Sequence, residues 1–193
     1  MKLSKKITCS VLGAIALITG GVAIETTQPV GPVVIQQQEL GELRVSSAAL
    51  ELIGNAEGCR QDPYRCPAGL ATNGIGNTHD VSSTAVSLEQ VAKDWVKNVQ
   101  SAEQCVSNAE HISGKAMTQG QFDAFTSFVF NTGCTKFRRN ANGTLTQIYK
   151  HIMQGNYPKA CEQLKRWVFS GGKKYNGLIT RRGLEYARCT QVD

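Results

Sequence analysis

No run of lysine and arginine interleaved with aromatics occurs in the 193 residues, which argues against nucleic-acid binding. No C-x-x-C pair occurs among the seven cysteines, which argues against a zinc site and leaves no metal or organic cofactor implied. Internal repeats and extended low-complexity tracts are also missing, so a chain of this length is expected to carry one ordinary domain with a proper core. The fourth absence is local: from Ile7 to Ile24 there is no charged residue at all.

Lys2, Lys5 and Lys6 precede that charge-free segment, an arrangement that predicts an inside amino terminus and a remainder outside the cytoplasm. As a helix the segment spans roughly 27 Å, just short of a hydrocarbon core. It is weakly apolar, diluted by Thr8, Cys9, Ser10, Gly13, Thr19, Gly20 and Gly21. Two fates fit it: cleavage at the small-x-small Gly21-Val-Ala23, as in a signal peptide, or retention as an anchor. The formal charge of +6 falls to +3 without the three lysines. That excess fits a polyanionic partner such as a bacterial wall or a membrane face, and equally an ordinary solubility charge. Residues 25–45 hold Pro29, Gly31, Pro32 and the polar Gln36-Gln-Gln38 with no helical period, and read as a linker to a domain over 46–193.

The chemistry concentrates just beyond. An amphipathic run with Ala49, Leu52, Ile53 and Ala56 at helical spacing ends at Glu57, followed by Gly58. A carboxyl group at a buried helix end facing a Gly-rich turn is a candidate general acid with a raised pKa. Cys59 and Cys66 follow, then Thr72-Asn-Gly-Ile-Gly-Asn77, which reads as a tight hairpin. Asp62 is a rival second carboxylate, in an Asp62-Pro63 pair that reads as an exposed turn.

Further helices are expected from Ser87, a capping-box start with Gln90, to about Val106; from Thr118 through Gln121 to Phe130; and over Leu145–Met153, Tyr157–Trp167 and Thr180–Cys189. Gly155-Asn156 and Gly171-Gly172 mark breaks. Phe122, Phe125, Phe128 and Phe130 read as core. The class is α+β, mainly α, with a small β-hairpin sheet. His79 raises a cysteine peptidase or amidase dyad with Cys66, for which no local motif is present; a non-catalytic wall-binding module would not need Glu57, Thr72 and a mobile thiol together.

Glu57, eight residues, Cys66, five residues, Thr72 and then Gly74-Ile-Gly76 together resemble the phage-type lysozymes (glycoside hydrolase family 24), whose pattern has Asp, or in some members Cys, at the second position. Gln119-Gly-Gln-Phe-Asp-Ala-Phe125, Phe130-Asn-Thr-Gly133, Gly171-Gly172 and Gly177-Leu-Ile-Thr-Arg-Arg182 extend the resemblance in order from Ser46 onward. It implies two lobes with a cleft between them and cleavage of the β-1,4 bond between N-acetylmuramic acid and N-acetylglucosamine in peptidoglycan. In that reading Glu57 is the acid, Arg181 or Arg182 orients it, and Thr72 holds the attacking water. Cys66 stands as base, nucleophile or water-positioner. Inverting hydrolases hold their two groups about 6.5–9.5 Å apart, leaving room for the water.

The family includes members with a signal-arrest-release segment. The resemblance therefore implies a phage endolysin retained in the host inner membrane through residues 7–24. It would be exported by the Sec machinery, assisted by a holin, and later released as a soluble periplasmic monomer. Mapping onto the lysozyme helices pairs Cys105 with Cys134 and Cys161 with Cys189. That leaves Cys9, Cys59 and Cys66 as three thiols for one bridge, and the resemblance implies a switch: Cys59–Cys66 while tethered, Cys9–Cys59 after release.

Overall fold

From Pro29 onward, the stretch expected as a linker is part of the domain. A computed structural model describes residues 6–21, 27–66 and 69–191; Lys2, Lys5 and the Val22-Ala23 portion of the cleavage motif lie outside them. Strand β1 (Pro29–Ile35) pairs antiparallel with β2 (Gln38–Ser46), Ile35 opposite Gln38. Gln36 and Gln37 form a two-residue turn with φ of 52° and 60°, the hand that matches strand twist. Val30, Val33, Ile35, Leu43 and Val45 are buried in the main core. The alternation is masked in the sequence because register shifts flank Gly31 and Pro32. In a two-stranded sheet every strand is an edge, so prolines without N–H groups are tolerated.

The charge-free segment behaves likewise. Helix α1 (Val11–Ile18) is eight residues, about 12 Å, capped by Ser10 and ended before Gly20-Gly21. Among the described residues no helix is long and apolar enough to cross a membrane. Ala14 and Ile18 are buried in the same core, so in this structure α1 packs on the domain rather than preceding it as a separate span.

Helix α2 (Ser47–Glu57) starts at Ser46, whose hydroxyl accepts from Ala49 N and donates to Asp123 Oδ2 at 2.5 Å. Its buried face is Ala49, Leu50, Ile53 and Gly54, turned from the stripe read in the sequence; Leu52 is half-buried and Ala56 exposed. Strands β3 (Arg60–Arg65) and β4 (Ala71–Gly74) form the expected hairpin.

Helix α3 (Leu88–Ser113) is about 39 Å long and carries a continuous apolar face from Val91 through Trp95 and Val99 to Ala109. It packs on α1, β2 and β4 and on α4 (Gln119–Thr132) and α6 (Gln147–Met153), β2 being tied to it through Gln100, Glu103 and Glu110. Thr118 and Gln121 form a reciprocal capping box; at Ser87 only the hydroxyl half is made, since the Gln90 side chain donates to Asp94. Short α5 (Cys134–Arg138), α7 (Tyr157–Leu164), the small hairpin of β5 (Phe169–Ser170) with β6 (Lys173–Lys174), and α8 (Asn176–Cys189) complete the chain. Phe122, Phe125 and Phe128 are fully buried on α4, as their spacing predicts.

Candidate active site

Glu57 is the last residue of α2, and Gly58 turns the chain into β3. Its side chain is about one-fifth exposed, half-buried rather than sealed. Two features hold the carboxylate. Arg181 on α8 donates from Nη1 to Oε1 at 2.5 Å. On the other side Gly76, at φ +67°, presents bare backbone: a Cβ there would stand 3.2 Å from Glu57 Oε2. A glycine is needed on both counts, the left-handed backbone and the close approach.

The Gly74-Ile75-Gly76 loop is cinched at its neck. Asn73 and Asn77 exchange backbone hydrogen bonds of 3.0 and 2.9 Å, and the Asn77 amide donates to Asn73 Oδ1. Asn98 on α3 donates to Asn77 Oδ1 at 3.1 Å, fixing the loop to the long helix. Thr72 is buried on β4 opposite Tyr64, and its hydroxyl donates to Leu70 O at 3.1 Å. Cys66 follows β3 and is half-buried. Burial raises the Tyr64 phenol above its usual range, and the negative charges that Glu57 and Cys66 can carry push the same way.

Arg181 and Arg182 divide the roles left open between them. Arg181 meets Glu57; Arg182 points away, pairing with Glu185, donating to Asn131 Oδ1 and Trp167 O, and stacking over Phe128. A cavity of about 1020 Å³ opens beside this group between α2 and α8, lined by Leu52, Ala56, Glu57, Asn131, Tyr175 and Arg181. A smaller one is lined in part by Gly76, His79, Asn98 and Phe130. His79 is exposed and is held through its backbone by Asn77.

Asp62 departs from the sequence reading. It lies buried on β3, not in an exposed turn. The Arg60 guanidinium, through a hydrogen bond at 2.5 Å, and the Ile7 N–H hold its carboxyl down at about 2. It therefore anchors the amino-terminal segment, which extends the β3–β4 hairpin: Gln61 N donates to Ile7 O at 2.8 Å and Cys9 N to Cys59 O at 3.2 Å.

Six of the seven cysteines are bridged: Cys9–Cys59, Cys105–Cys134 and Cys161–Cys189. Cys66 is the cysteine outside the disulfides. Among the described residues no group of three His, Cys, Asp or Glu is placed to hold a metal ion.

The family model described as Phage lysozyme matches residues 54–185. The chain belongs to the phage lysozyme family. It is similar to the SAR-endolysin of Escherichia phage P1, 44% identical over 155 residues that cover 77% of this chain and 83% of that protein. The SAR-endolysin of Haemophilus phage HP1 is 38% identical over 152 residues, 76% of this chain and 81% of that protein. Among solved structures, the active form of P1 phage endolysin Lyz superposes with a TM-score of 0.75 at 36% identity, covering 95% of this chain and 94% of that one. The secreted inactive form of the same endolysin gives 0.54 at 40% identity over 76% of this chain and 95% of that one. The fold is thus the phage-lysozyme fold, mostly helical with small antiparallel sheets, and it matches the active form over more of its length.

Sequence reasoning overlooked Glu185, Ser127 and Gly54. For Glu185 a signal existed: Arg181-Arg182-x-x-Glu185 sets a carboxylate three and four residues from two arginines, which is ion-pair spacing on one helix face.

Proposed function

We propose that this chain is a phage endolysin, a muramidase that hydrolyses the β-1,4 bond between N-acetylmuramic acid and N-acetylglucosamine in host peptidoglycan. The observation that carries the reading is Glu57 held between Arg181 and the bare backbone of Gly76, at the edge of an open cavity in a chain of the phage lysozyme family. Glu57 donates its proton to the leaving glycosidic oxygen. The Thr72 hydroxyl, its hydrogen already given to Leu70 O, offers lone pairs that accept from the attacking water. Cys66 stands where the family pattern has a second functional group. A thiol with an ordinary pKa of about 8.5 is mostly protonated at neutral pH, which favours water-positioning over general-base work.

Activation follows from the bridges. The protein is exported with residues 7–24 in the inner membrane and Cys59 bonded to Cys66. After the segment leaves the bilayer into the periplasm, the Cys9 thiolate attacks Cys59 Sγ, the Cys9–Cys59 bond forms, and Cys66 departs as a thiolate that takes up a proton. One disulfide replaces another, so no oxidant is required. Sec export, a holin and a monomeric enzyme complete the scheme.

Glu57→Gln keeps the shape and removes the acid. It is expected to abolish release of reducing sugar ends from purified peptidoglycan with thermal unfolding nearly unchanged. Normal turnover by the folded variant overturns the assignment. New amino or carboxyl termini in the soluble fragments would instead favour an amidase or peptidase built on Cys66 and His79.

A further inference from the structure

Behind Arg181 lies a carboxylate that touches no solvent. Glu185 is fully buried, one helical turn along α8 from Arg181. Its Oε1 accepts from Arg181 Nε at 3.1 Å and from the Ser127 hydroxyl at 2.8 Å; its Oε2 is paired with Arg182. Ser127 O accepts from Arg181 Nη2 at 3.1 Å. All three nitrogens of the Arg181 guanidinium are thus assigned, and only Nη1 faces Glu57.

We infer that Glu185 is a positioning residue that governs proton retention by Glu57 through Arg181. The inference rests on the muramidase reading given above. A general acid must carry its proton into the reaction, whereas a guanidinium in direct contact favours the carboxylate form. An undivided Arg181 would therefore work against the chemistry it orients. Glu185 offsets this in two ways. It neutralises part of the Arg181 charge at close range, and its own negative charge, one guanidinium away, disfavours a second carboxylate at Glu57. The titratable groups around Glu57 are Arg181, Arg182 and Glu185 from α8, Tyr64 from β3 and the Cys66 thiol just after β3, while the Gly76 loop contributes backbone. Counted with Glu57 ionised, two cations face two carboxylates. Removing the Glu185 charge leaves Glu57 as the one carboxylate among these groups to answer both arginines.

Arg182 serves the same arrangement. Its Nη1 fixes Glu185 Oε2 while Asn131, Trp167 O and the Phe128 ring occupy the rest of its guanidinium. The buried pair orients Arg181 from behind without touching the cavity itself.

The test is the pH profile of kcat/KM on purified peptidoglycan for the full-length released protein and for Glu185→Gln. The alkaline limb, where the acid loses its proton, is expected to move to lower pH by about one unit or more. Activity well below that limb should be retained. Arg181→Met should move the limb the opposite way. If Glu185→Gln does not fold, Arg182→Met/Glu185→Gln removes the buried pair together, one charge of each sign, and is expected to give a smaller shift in the same downward direction, because Arg181 still loses the carboxylate that shares it; an unmoved limb in this variant overturns the inference. A uniform loss at every pH with an unmoved limb makes Glu185 a structural residue only and overturns the inference. A wild-type protein that releases no reducing ends overturns the muramidase reading instead.

Discussion

Val11 occupies the space that a side chain at Gly54 would need. A Cβ on Gly54 would stand 2.4 Å from Val11 Cγ1 and 3.1 Å from Trp95 Cη2, so the missing side chain in α2 is the seat on which α1 docks. Here a glycine in a helix interior, normally a cost of about 1 kcal/mol, is the condition for two helices and an indole to meet. Gly54→Val is expected to oppose docking by about 1–3 kcal/mol through overpacking. Non-reducing peptide mapping of the released protein should then find Cys59 still bonded to Cys66, with lytic activity reduced. Complete Cys9–Cys59 formation in this variant would show that docking does not depend on the notch.

Single-cysteine variants separate the bridge from the chemistry. Cys9→Ser should export normally and stay inactive after release. Cys59→Ser should be active prematurely and toxic to the host, because Cys66 then has no neighbour to cage it. Cys66→Asp should lyse without any bridge at this loop. Lysis curves on induction, read beside alkylation mass shifts, distinguish these outcomes; full lysis by Cys9→Ser with a harmless Cys59→Ser reduces the three cysteines to staples.

Burial pushes the Glu103 carboxyl up to about 7, although it accepts from the Val45 N–H at 2.6 Å. The folded state therefore holds this proton more tightly than the unfolded chain, whose carboxyl titrates near its ordinary value. Stability from this group is fully present below about 4.5 and is lost as pH rises through about 7. Glu103→Gln, which keeps an acceptor for Val45, should be more stable than wild type at pH 8, on the order of 2 kcal/mol, and no more stable at pH 4. Denaturant midpoints at the two pH values check the sign; an equal difference at both would reject it.

The proposed release from the membrane can be tested without disturbing the docked helix. Ala16 and Leu12 are exposed on α1 in this structure. Ala16→Leu adds apolar surface that matters only in the bilayer, about 2 kcal/mol, and should hold the protein in the membrane fraction longer. Leu12→Ala should hasten its appearance in the periplasm. Fractionation after collapse of the membrane potential measures both, and a mature amino terminus at Ile24 would end the anchor model.

The sequence alone carried the features that are local. Glu57 at a helix end, the Gly74-Ile-Gly76 turn, the Thr118 cap and the core face of α4 follow from spacing and capping chemistry within a few residues of each other. Several ordered motifs also sufficed to indicate the family. What depended on contacts between distant residues was not legible. The β1–β2 strands lacked visible alternation because Gly31, Pro32 and register shifts interrupt it, and burial against α3 decided their form. The residues about Ala14 and Ile18 have one composition that suits either a bilayer or a protein core; only a notch at Gly54 and an acceptor at Asp62, each distant in the chain, make the core a partner for them. Which of two adjacent arginines meets Glu57 turned on the phase of α8 against α2. Periodicity places residues on a helix, but the rotation of one helix about its axis is set by what packs against it.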